Sequence, residues 1–558
     1  MHNYAIADNF SLLSKLMDIH GENSFKTKSY SVAAFTIEKL PVQLAELPEE
    51  KIVSIKGIGD AIGKKITEQL HTGRLSLLDK YLAETPAGVI EMLAIKGLGP
   101  KKIATVWKDL EVESIGELLY ACNENRLLLY KGFGEKTQQN IREAIQFYLG
   151  NKGSYLYAQV VPYASLLEEK LAAVFSAHSF LITGEFRRHL EVIDKLAWVT
   201  TATAKELSDF FASNNFEIIS AEEQHSQFKG PENIALHFYH TNKEKLYRQQ
   251  FITSCSETFL QRWNSRFAFD DSLVYTSEEA IFLHAGIDFI PAYLREDEKI
   301  IQQAAEHQVP TVIQTADITG IIHSHTTWSD GVNTIEEMAK AAIAKGLEYI
   351  VISDHSKTAF YANGLNEERL KAQHAEINEL NAKLAPFYIF KSIESDILYD
   401  GSLDYSNEVL NSFDLVIASV HSNLKMTEEK AMTRLLKAIE NPYTTILGHM
   451  TGRLLLSRNG YPVNHTAIIE ACLAHNVVIE LNAHPSRLDI DWRKIAEALE
   501  RGVLISIDPD AHAVEGFDDV HYGVLAAQKA GVTKLHNLSS YSLAAFSEFI
   551  DIQKNKRT

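Results

Sequence analysis

The C-terminal half of the chain consists of short apolar runs, each about the length of one β-strand, separated by stretches with helical periodicity. Alternation of this kind is typical of βαβ units, which build parallel sheets. It predicts an α/β barrel of about seven parallel strands, related to the eight-stranded barrel. The apolar runs occupy residues 320–325, 348–355, 387–394, 415–421, 445–449, 477–482 and 503–512.

Nearly all of these runs end in His, Asp or Glu. His323 and His325 would share a face of a strand, and the turn Ser329-Asp330-Gly331 would return a carboxylate towards them. Taken alone, this pattern fits a pair of surface histidines equally well. A parallel barrel, however, gathers its strand ends at one mouth, and burying many polar groups there without a cation would be very unfavourable. We therefore predict one metal site formed by His323, His325, Asp330, His355, Glu394, His421, His449, Asp510 and His512.

These motifs resemble the PHP domain, a phosphoesterase domain named for polymerase and histidinol phosphatase. The resemblance rests on His323-x-His325, Ser353-Asp354-His355, Glu394, Ser419-Val420-His421-Ser422, Gly448-His449 and Asp510-Ala511-His512. It implies a PHP domain at residues 318–558 that binds three divalent metal ions. Imidazole and carboxylate ligands suit Mn²⁺, Zn²⁺ or Fe²⁺.

The same resemblance implies how the ligands are shared. One metal would take His323, His325, Glu394 and Asp510, and a second would take Asp330, His355 and His512. A third would take His421 and His449, with Glu394 bridging it to the first. A metal-bound hydroxide would attack the phosphorus, and Arg453 would bind the substrate phosphate.

Residues 1–150 have helical periodicity throughout and contain one pattern three times. Each copy has an apolar or aromatic residue, then Lys-Gly, a second apolar residue and Gly, and a helical run with Lys or Arg follows. Such a turn into a helix N-terminus can hold a phosphate without reading a base, although a single copy could be a plain helix–turn–helix corner. The residues predicted to bind the DNA backbone are Gly57, Gly59, Lys65, Gly97, Gly99, Lys101, Lys102, Gly132 and Gly134.

This arrangement resembles the N-terminal part of the family X DNA polymerases. It implies a helix-hairpin-helix 8-kDa-like domain at residues 1–82 and a second helix-hairpin-helix, fingers-like domain at residues 83–150. Lys65 matches the position of a lysine that forms a Schiff base with an abasic sugar in the lyase members of that family. A solvated lysine that binds phosphate is the alternative, because a nucleophilic lysine needs a lowered pKa.

Residues 151–305 correspond to the palm and thumb of the same family. The segment Thr183-Gly184-Glu185-Phe186-Arg187-Arg188 keeps a Gly and two Arg of its phosphate-binding motif, but Glu185 stands where the motif has Ser. The acids that hold magnesium are replaced by Lys195, Ala197 and Ala235, although Asp194 lies one residue away. Since magnesium needs carboxylates, we interpret this region as a palm-like domain without polymerase chemistry. A misalignment of the acids is the alternative.

Composition limits the remaining possibilities. A chain of 558 residues with 46% hydrophobic and 23% charged residues is typical of a soluble protein with three or four domains. No apolar stretch reaches the roughly 18 residues that span a membrane, and the N-terminus does not resemble a signal peptide. Three distant cysteines fit a reducing cytoplasm, and the net charge of −19 argues against a broad nucleic-acid-coating surface.

The whole chain resembles the bacterial PolX family, in which a family X polymerase is fused to a PHP domain. This implies a multidomain fold with an all-α helix-hairpin-helix N-terminal region, an α+β polymerase-beta-like palm and thumb region, and a C-terminal α/β PHP barrel. The implied activity is a metal-dependent 3′–5′ DNA exonuclease in repair, with AP endonuclease or 3′-phosphatase as further activities. The expected partner is gapped, nicked or 3′-ended DNA, held by its backbone.

Three alternatives remain open. The first is an active gap-filling polymerase with an associated 3′–5′ exonuclease, and the missing acids argue against it. The second is a phosphatase of small molecules, because a barrel with these ligands could hydrolyse a small phosphate ester. The third is a DNA-binding scaffold, against which the full set of nine metal-ligand types argues.

Overall fold

The computed structural model describes residues 2–123, 126–150, 153–230, 233–267, 269, 273–359, 362–456 and 459–557. The chain forms two compact units, residues 1–152 and 153–558. Among the described residues, no helix combines the length and the apolar character needed to cross a membrane.

The first unit is helical, as its periodicity predicts. In the first helix Ile6, Phe10, Leu13 and Met17 repeat at helical spacing and are all buried. One hydrophobic core runs from Ile6 to Ile145, so the two predicted helix-hairpin-helix domains share a core, and their boundary near residue 82 stays a prediction. The helices are α1 (Asn3–His20), α2 (Ser24–Glu38), α3 (Glu49–Ile52), α4 (Asp60–Thr72), α5 (Ser76–Glu84), α6 (Ala87–Glu91), α7 (Pro100–Lys108), α8 (Ile115–Asn123) and α9 (Glu135–Gly150).

The three repeated glycine turns share one geometry. The first glycine of each has a positive φ, a conformation that other residues rarely adopt: +95° at Gly57, +85° at Gly97 and +95° at Gly132. The second glycine accepts a hydrogen bond from the first turn of the following helix, at Gly59, Gly99 and Gly134. The apolar residue between them is buried, at Ile58, Leu98 and Phe133. Each copy is therefore a tight turn into the N-terminus of α4, α7 or α9.

The palm-like region opens the second unit and has two hydrophobic cores, one around Trp198 and one around Trp263. Its main sheet has the order β2-β4-β7-β6-β5, with β4 and β7 parallel and the other pairs antiparallel. Its strands are β1 (Tyr155–Leu156), β2 (Phe180–Thr183), β3 (Val192–Ile193), β4 (Lys195–Thr200), β5 (Glu217–Ala221), β6 (His225–Lys229) and β7 (Ala235–His240). Its helices are α10 (Tyr157–Val174), α11 (Gly184–Arg187), α12 (Ala204–Ser213), α13 (Leu246–Thr253), α14 (Glu257–Arg266), α15 (Glu278–Ala285) and α16 (Lys299–Ala305).

The C-terminal region alternates strands and helices, as the apolar runs predict. The strands are β8 (Gly320–Ser324), β9 (Tyr349–Ile352), β10 (Tyr388–Lys391), β11 (Glu394–Asp396), β12 (Ile417–Ser419), β13 (Ile446–Leu447), β14 (Val478–Asn482) and β15 (Ile505–Asp508). The helices are α17 (Ile335–Ala344), α18 (Glu367–Leu384), α19 (Asn407–Leu410), α20 (Glu428–Ile439), α21 (His465–Ala474), α22 (Trp492–Arg501), α23 (Val520–Lys529) and α24 (Leu543–Asn555).

These strands form a closed parallel barrel. Two sheets, β10-β9-β8 and β11-β12-β13-β14-β15, meet at two seams, where Ser324 pairs with Ala511 and His355 pairs with Glu394. The run 387–394 forms one strand position of the barrel that is divided into two strands, because β10 pairs with β9 whereas β11 pairs with β12. When β10 and β11 are counted as one, the barrel has the seven strands that the sequence predicts.

Candidate metal centre

The structure brings all nine predicted metal-ligand side chains to one end of the barrel. His323 and Glu394 lie within β8 and β11, whereas His325, His355, His421, His449, Asp510 and His512 stand one to four residues beyond the ends of β8, β9, β12, β13 and β15. Parallel strands place their carboxyl ends at the same mouth, so side chains from distant parts of the chain meet there. Asp330 comes from the turn after β8 and lies 3.4 Å from Nε2 of His512 and 3.7 Å from Nε2 of His355.

Two of these residues adopt a backbone conformation that is uncommon for side chains with a Cβ. His323 has φ +61° and Asp510 has φ +53°. The pairing of β8 with β9 shifts register between Ile321 and Ser324, so His323 sits at an irregularity of the strand. Irregularities of this kind re-aim side chains, and such strain persists only where the surrounding structure enforces it.

The turn that carries Asp330 depends on a glycine and on a buried carboxylate. A Cβ on Gly331 would lie 2.4 Å from the carbonyl oxygen of His325, so no larger residue fits there without displacement. The carboxylate of Asp354, which is fully buried, accepts hydrogen bonds from the backbone N–H groups of Thr326 and Ser329. This carboxylate therefore fixes the loop that delivers Asp330.

Donor atoms of these side chains form three groups whose members lie within 4.8 Å of one another: His323, His325, Glu394 and Asp510; His325, Asp330, His355 and His512; and His355, Glu394 and His421. The first group is the predicted ligand set of the first metal. The second contains the predicted set of the second metal together with His325. The third contains His355 rather than His449, although Nε2 of His449 lies 2.9 Å from Oε1 of Glu394.

Glu394 lies at the centre of the cluster, and its surroundings show whether the side chains fit divalent cations. Five imidazole nitrogens lie near its two oxygens: those of His449 at 2.9 Å, His421 and His355 at 3.0 Å, His323 at 3.3 Å and His325 at 3.6 Å. Yet Oε2 of Glu394, Nε2 of His323 and Nδ1 of His355 are buried without a hydrogen bond. Buried donors and acceptors are rarely left unpaired in proteins. These unpaired atoms belong to the clustered donor groups, so the donor set fits divalent cations of the kind that prefer imidazole and carboxylate.

The charges within the cluster are strongly coupled. Burial alone would lower the pKa of His323, but the carboxylates of Glu480, Asp510 and Glu394 hold it well above its ordinary value. Burial would raise the pKa of Glu394, but the neighbouring imidazoles hold it well below its ordinary value. Burial, together with His512 and His355, lowers the pKa of His325 to about 3, which keeps this imidazole neutral, the form that binds metals.

Two carboxylates that orient the cluster are absent from the sequence-based prediction. Oε2 of Glu480 in β14 lies 2.6 Å from Nδ1 of His323, and Oδ1 of Asp396 in β11 is hydrogen-bonded to Nδ1 of His421. Carboxylates in this position fix the tautomer and orientation of a metal-binding histidine. The signal was available for Glu480, because a carboxylate within the apolar run 477–482 has to find a partner once it is buried.

A cavity of about 380 Å³ opens beside the cluster and is lined in part by Leu455, His484, Ser486, Arg487, Asp510 and His512. Arg453, the predicted phosphate-binding residue, is not among its lining residues. Its Nε donates to the carbonyl of Arg487, NH2 donates to the carbonyl of Leu488, and NH1 donates to Oδ2 of Asp491 at 2.7 Å. The guanidinium of Arg453 is thus engaged with the loop that carries Arg487.

In the palm-like region, the strands that should carry the polymerase acids do pair in the required way. Lys195 in β4 lies opposite Ala235 in β7, and Ala197 lies opposite His237. Asp194 lies outside this pair of strands, where its Oδ1 accepts a hydrogen bond from Ser154. The described residues therefore present no carboxylate at Lys195, Ala197 or Ala235, and Glu232 lies outside the described part of the chain.

Both arginines of the phosphate-binding motif have carboxylate partners. The guanidinium of Arg187 donates to both oxygens of Glu278, at 2.8 and 2.7 Å, and Arg295 donates to the same two oxygens. Arg188 lies 3.0 Å from Oε2 of Glu296. Through these ion pairs the motif contacts α15 at Glu278 and the segment before α16 at Glu296.

The predicted DNA-binding lysines of the first unit differ in their surroundings. Lys101 is exposed at the N-terminus of α7, and Lys102 donates from Nζ to the carbonyl of Gly97 at 3.3 Å. Lys65 in α4 forms an ion pair with Glu68 at 3.0 Å. Lys101 is thus the most accessible of the three.

Family models match the chain in three segments. A helix-hairpin-helix domain model matches residues 1–75, a SAM-like helix-hairpin-helix tandem model matches residues 89–146, and the PHP domain model matches residues 322–484. These segments contain the three glycine turns and most of the nine clustered side chains.

Several known proteins are similar to this chain. The DNA polymerase/3′–5′ exonuclease PolX of Bacillus subtilis (strain 168) is 32% identical, over 99% of this chain and 99% of its own length. A probable phosphatase of Thermoanaerobacter sp. (strain X514) is 27% identical over 42% of this chain and 95% of its own length. A probable phosphatase of Caldanaerobacter subterraneus is 28% identical over 34% of this chain. The chain therefore belongs to the PolX family: it is an enzyme that joins helix-hairpin-helix domains to a PHP-type metal-dependent phosphoesterase domain.

Proposed function

We propose that this enzyme is a metal-dependent 3′–5′ DNA exonuclease of repair, and that its PHP barrel carries the activity. The observation that carries the proposal lies at Glu394, where Oε2 and the Nδ1 of His355 are buried 3.0 Å apart and neither has a hydrogen bond. The 3′–5′ polarity is supported by the name of the Bacillus subtilis relative, a DNA polymerase/3′–5′ exonuclease that matches this chain over nearly its whole length.

The chain's own residues prepare this site for phosphodiester hydrolysis. His323, His325, Glu394 and Asp510 would hold one cation, Asp330, His355 and His512 a second, and His421 and His449 with Glu394 a third. Bound divalent cations lower the pKa of water and neutralise charge that develops on a phosphodiester. Glu480 and Asp396 fix the tautomers of His323 and His421 by accepting the proton at Nδ1, which leaves Nε2 free to act as a ligand. Imidazole and carboxylate ligands of this kind suit Mn²⁺, Zn²⁺ or Fe²⁺.

The helix-hairpin-helix turns would hold the DNA. The N-termini of α4, α7 and α9 offer backbone N–H groups to a phosphate, and this mode of binding does not read the bases. Lys101 is an exposed cation in the first turn of α7, next to such a terminus. For Lys65, phosphate binding and Schiff-base formation both stay open, and its ion pair with Glu68 favours phosphate binding.

We further propose that the palm-like region has no nucleotidyl-transfer activity. Magnesium is held by carboxylates, and Lys195 and Ala235 supply none at the paired positions of β4 and β7. Nor is the arginine pair available for a nucleotide triphosphate, because Arg187 and Arg188 are paired with Glu278 and Glu296. Because the Bacillus subtilis relative is named as a DNA polymerase as well as an exonuclease, polymerisation is the outcome that the experiment has to exclude.

A second candidate function is hydrolysis of small phosphate monoesters. It is favoured by the two probable phosphatases, which match 42% and 34% of this chain. The helix-hairpin-helix segments favour DNA as the substrate instead, since a small-molecule phosphatase needs no grip on a DNA backbone.

The test is a primer assay with manganese. A 5′-labelled primer–template is incubated with the full-length protein, with and without dNTPs, and compared with gapped and nicked duplexes. Progressive shortening of the primer supports the proposal, whereas extension with dNTPs contradicts the inactive palm. Parallel duplexes with an abasic site or a 3′-phosphate test the AP endonuclease and 3′-phosphatase activities. An unchanged primer alongside rapid hydrolysis of p-nitrophenyl phosphate would favour the second candidate.

A further inference from the structure

A loop beside the proposed metal centre carries one arginine into the cavity. Arg487 lies between β14 and α22, lines the cavity with Asp510 and His512, and places Nε 3.7 Å from Oδ2 of Asp510, farther than a hydrogen bond. It is the only lysine or arginine among the described lining residues. A planar guanidinium at such a mouth is suited to bind two oxygens of a phosphate at once.

The main chain at Arg487 is fixed from behind by Arg453. The guanidinium of Arg453 donates to the carbonyls of Arg487 and Leu488 and to the carboxylate of Asp491. Asp491 in turn caps α22 by accepting from the backbone N–H of Arg493, and it also accepts from the guanidinium of Arg493 at 2.9 Å. The loop is thus held between a capped helix and the partly buried guanidinium of Arg453.

The palm-like region reaches this same helix. Glu191, which is 8% exposed, accepts from the indole Nε1 of Trp492 at 3.0 Å and from NH1 of Arg493 at 2.8 Å. Lys529, whose side chain is fully buried, lies 4.6 Å from the ring of Trp492 and donates to the carbonyl of Arg188 and to Glu296. The start of α22 is therefore hydrogen-bonded directly to Glu191 of the palm-like region, and it also contacts Lys529 of α23, which in turn bonds to Arg188 and Glu296 of that region.

These contacts form an unbroken series from Glu191 through Arg493, Asp491 and Arg453 to the backbone of Arg487. We propose that Arg487 binds the scissile phosphate at the metal centre, and that Glu191 is a positioning residue that holds Arg487 there. This inference rests on the proposed phosphodiesterase function. It gives the palm-like region a role that needs no polymerase chemistry: it sets the geometry of the neighbouring hydrolytic site.

The experiment uses the full-length, manganese-loaded protein and bis(p-nitrophenyl) phosphate, a small diester that the helix-hairpin-helix turns cannot retain. Arg487→Ala should raise KM about tenfold, the effect of one lost charge-assisted hydrogen bond, and Arg487→Lys should recover part of it. Glu191→Gln should raise KM in the same direction with little change in kcat. Since both act through one contact, the double variant should be no worse than Arg487→Ala. Asp209→Asn, which removes an exposed carboxylate of α12 paired with Lys205, is the matched control.

Three readings separate the possible outcomes. If the wild-type protein hydrolyses neither the diester nor DNA, the proposed function itself is wrong. If the wild type is active and Arg487→Ala leaves KM unchanged, Arg487 does not bind phosphate. If Glu191→Gln lowers the melting temperature with KM unchanged, or if the two substitutions add independently, Glu191 is only structural and the positioning role is overturned. Metal content by elemental analysis should be equal in all variants, because none of these residues is a proposed ligand.

Discussion

Nδ1 of His323 lies 2.6 Å from Oε2 of Glu480, and both side chains are fully buried. The contact joins the first strand of the barrel, β8, to the second-to-last strand, β14, and the two residues are 157 positions apart in the chain. It turns the other nitrogen of His323, Nε2, towards Glu394 and Asp510, at 3.3 and 3.4 Å. The same Glu480 also accepts from the backbone N–H of His449, so one carboxylate orients two residues of the candidate metal centre.

The first prediction concerns this carboxylate. Glu480→Gln should weaken manganese binding by about 10- to 100-fold, the usual effect of losing an orienting partner of a metal ligand. The measurement is the manganese concentration that half-saturates exonuclease activity. Glu379→Gln, on the exposed face of α18, should leave that concentration unchanged. An unchanged value for Glu480→Gln would show that His323 is oriented without it.

A second prediction concerns Asp510, which contributes to the first ligand group. Asp510→Ala should abolish shortening of a 5′-labelled primer, since it removes a carboxylate from the site while the helix-hairpin-helix unit stays intact. Retention of DNA on a filter should therefore persist. Asp551→Ala, an exposed carboxylate of α24, serves as the control. A variant at Asp510 that still shortened the primer would disprove the ligand assignment.

Removal of metal should destabilise the barrel. A ligand that binds only the folded state at 100 times its Kd adds about 2.7 kcal/mol of stability. Excess EDTA should therefore lower the melting temperature of the second unit, and manganese should restore it. Because the first unit holds none of the nine predicted ligands, a transition assigned to it by its helical signal should not shift. Equal shifts in both units would point to a nonspecific effect of the chelator.

The salt dependence of DNA binding tests the predicted contacts between the helix-hairpin-helix unit and the DNA backbone. Lys101→Ala should weaken DNA binding uniformly across sequences and should reduce the slope of log K against log salt by about 0.9, the contribution of one phosphate contact to duplex DNA. Fluorescence anisotropy at several salt concentrations provides the slope. Lys15→Ala, exposed on α1 outside the glycine turns, should leave it unchanged. An identical slope for both variants would place the DNA elsewhere.

The folding stability of the palm-like region should depend on pH through the ionisation of Glu278. Burial would raise its pKa, but hydrogen bonds from Arg187 and Arg295 lower it from 4.5 to about 2. A carboxyl whose pKa is lower in the folded state stabilises fully above its unfolded pKa, and this contribution is lost as the pH falls from about 4.5 towards 2. The shift corresponds to roughly 3 kcal/mol.

The measurement compares urea unfolding of the wild type with that of Glu278→Gln. The difference in stability should be largest at pH 7, where the guanidinium groups of Arg187 and Arg295 lose their partner. It should shrink by pH 3, because the carboxyl of the unfolded wild-type chain becomes protonated below about 4.5 while the folded one stays ionised down to about 2. Glu279→Gln replaces the exposed neighbouring carboxylate and should follow the wild type throughout. A difference that is constant with pH would exclude the ion pairs as its source.

Much of the fold could be predicted because the relevant signals are local. Apolar runs of strand length and the repeated Lys-Gly-x-Gly frame are each contained in a few residues, and they predict strands and tight turns by their own stereochemistry. The mouth of a parallel barrel then requires the residues at the strand ends to meet, which is why His323 and Asp510, nearly 190 residues apart in the chain, could be grouped beforehand. The division of the run 387–394 into β10 and β11 could not be predicted, because it depends on which neighbouring strand each part pairs with.

By itself, the sequence determined the helical N-terminal unit, the barrel and the kinds of side chain at its mouth. Only the tertiary structure decided which partner each buried charge found: Glu480 for His323, Glu278 for Arg187, and the loop carrying Arg487 for Arg453. A buried charge needs a nearby opposite charge or hydrogen bonds, whatever their separation in the chain. Periodicity reports only which face of an element is buried, whereas the partner is supplied by whichever distant segment the packing brings to that face.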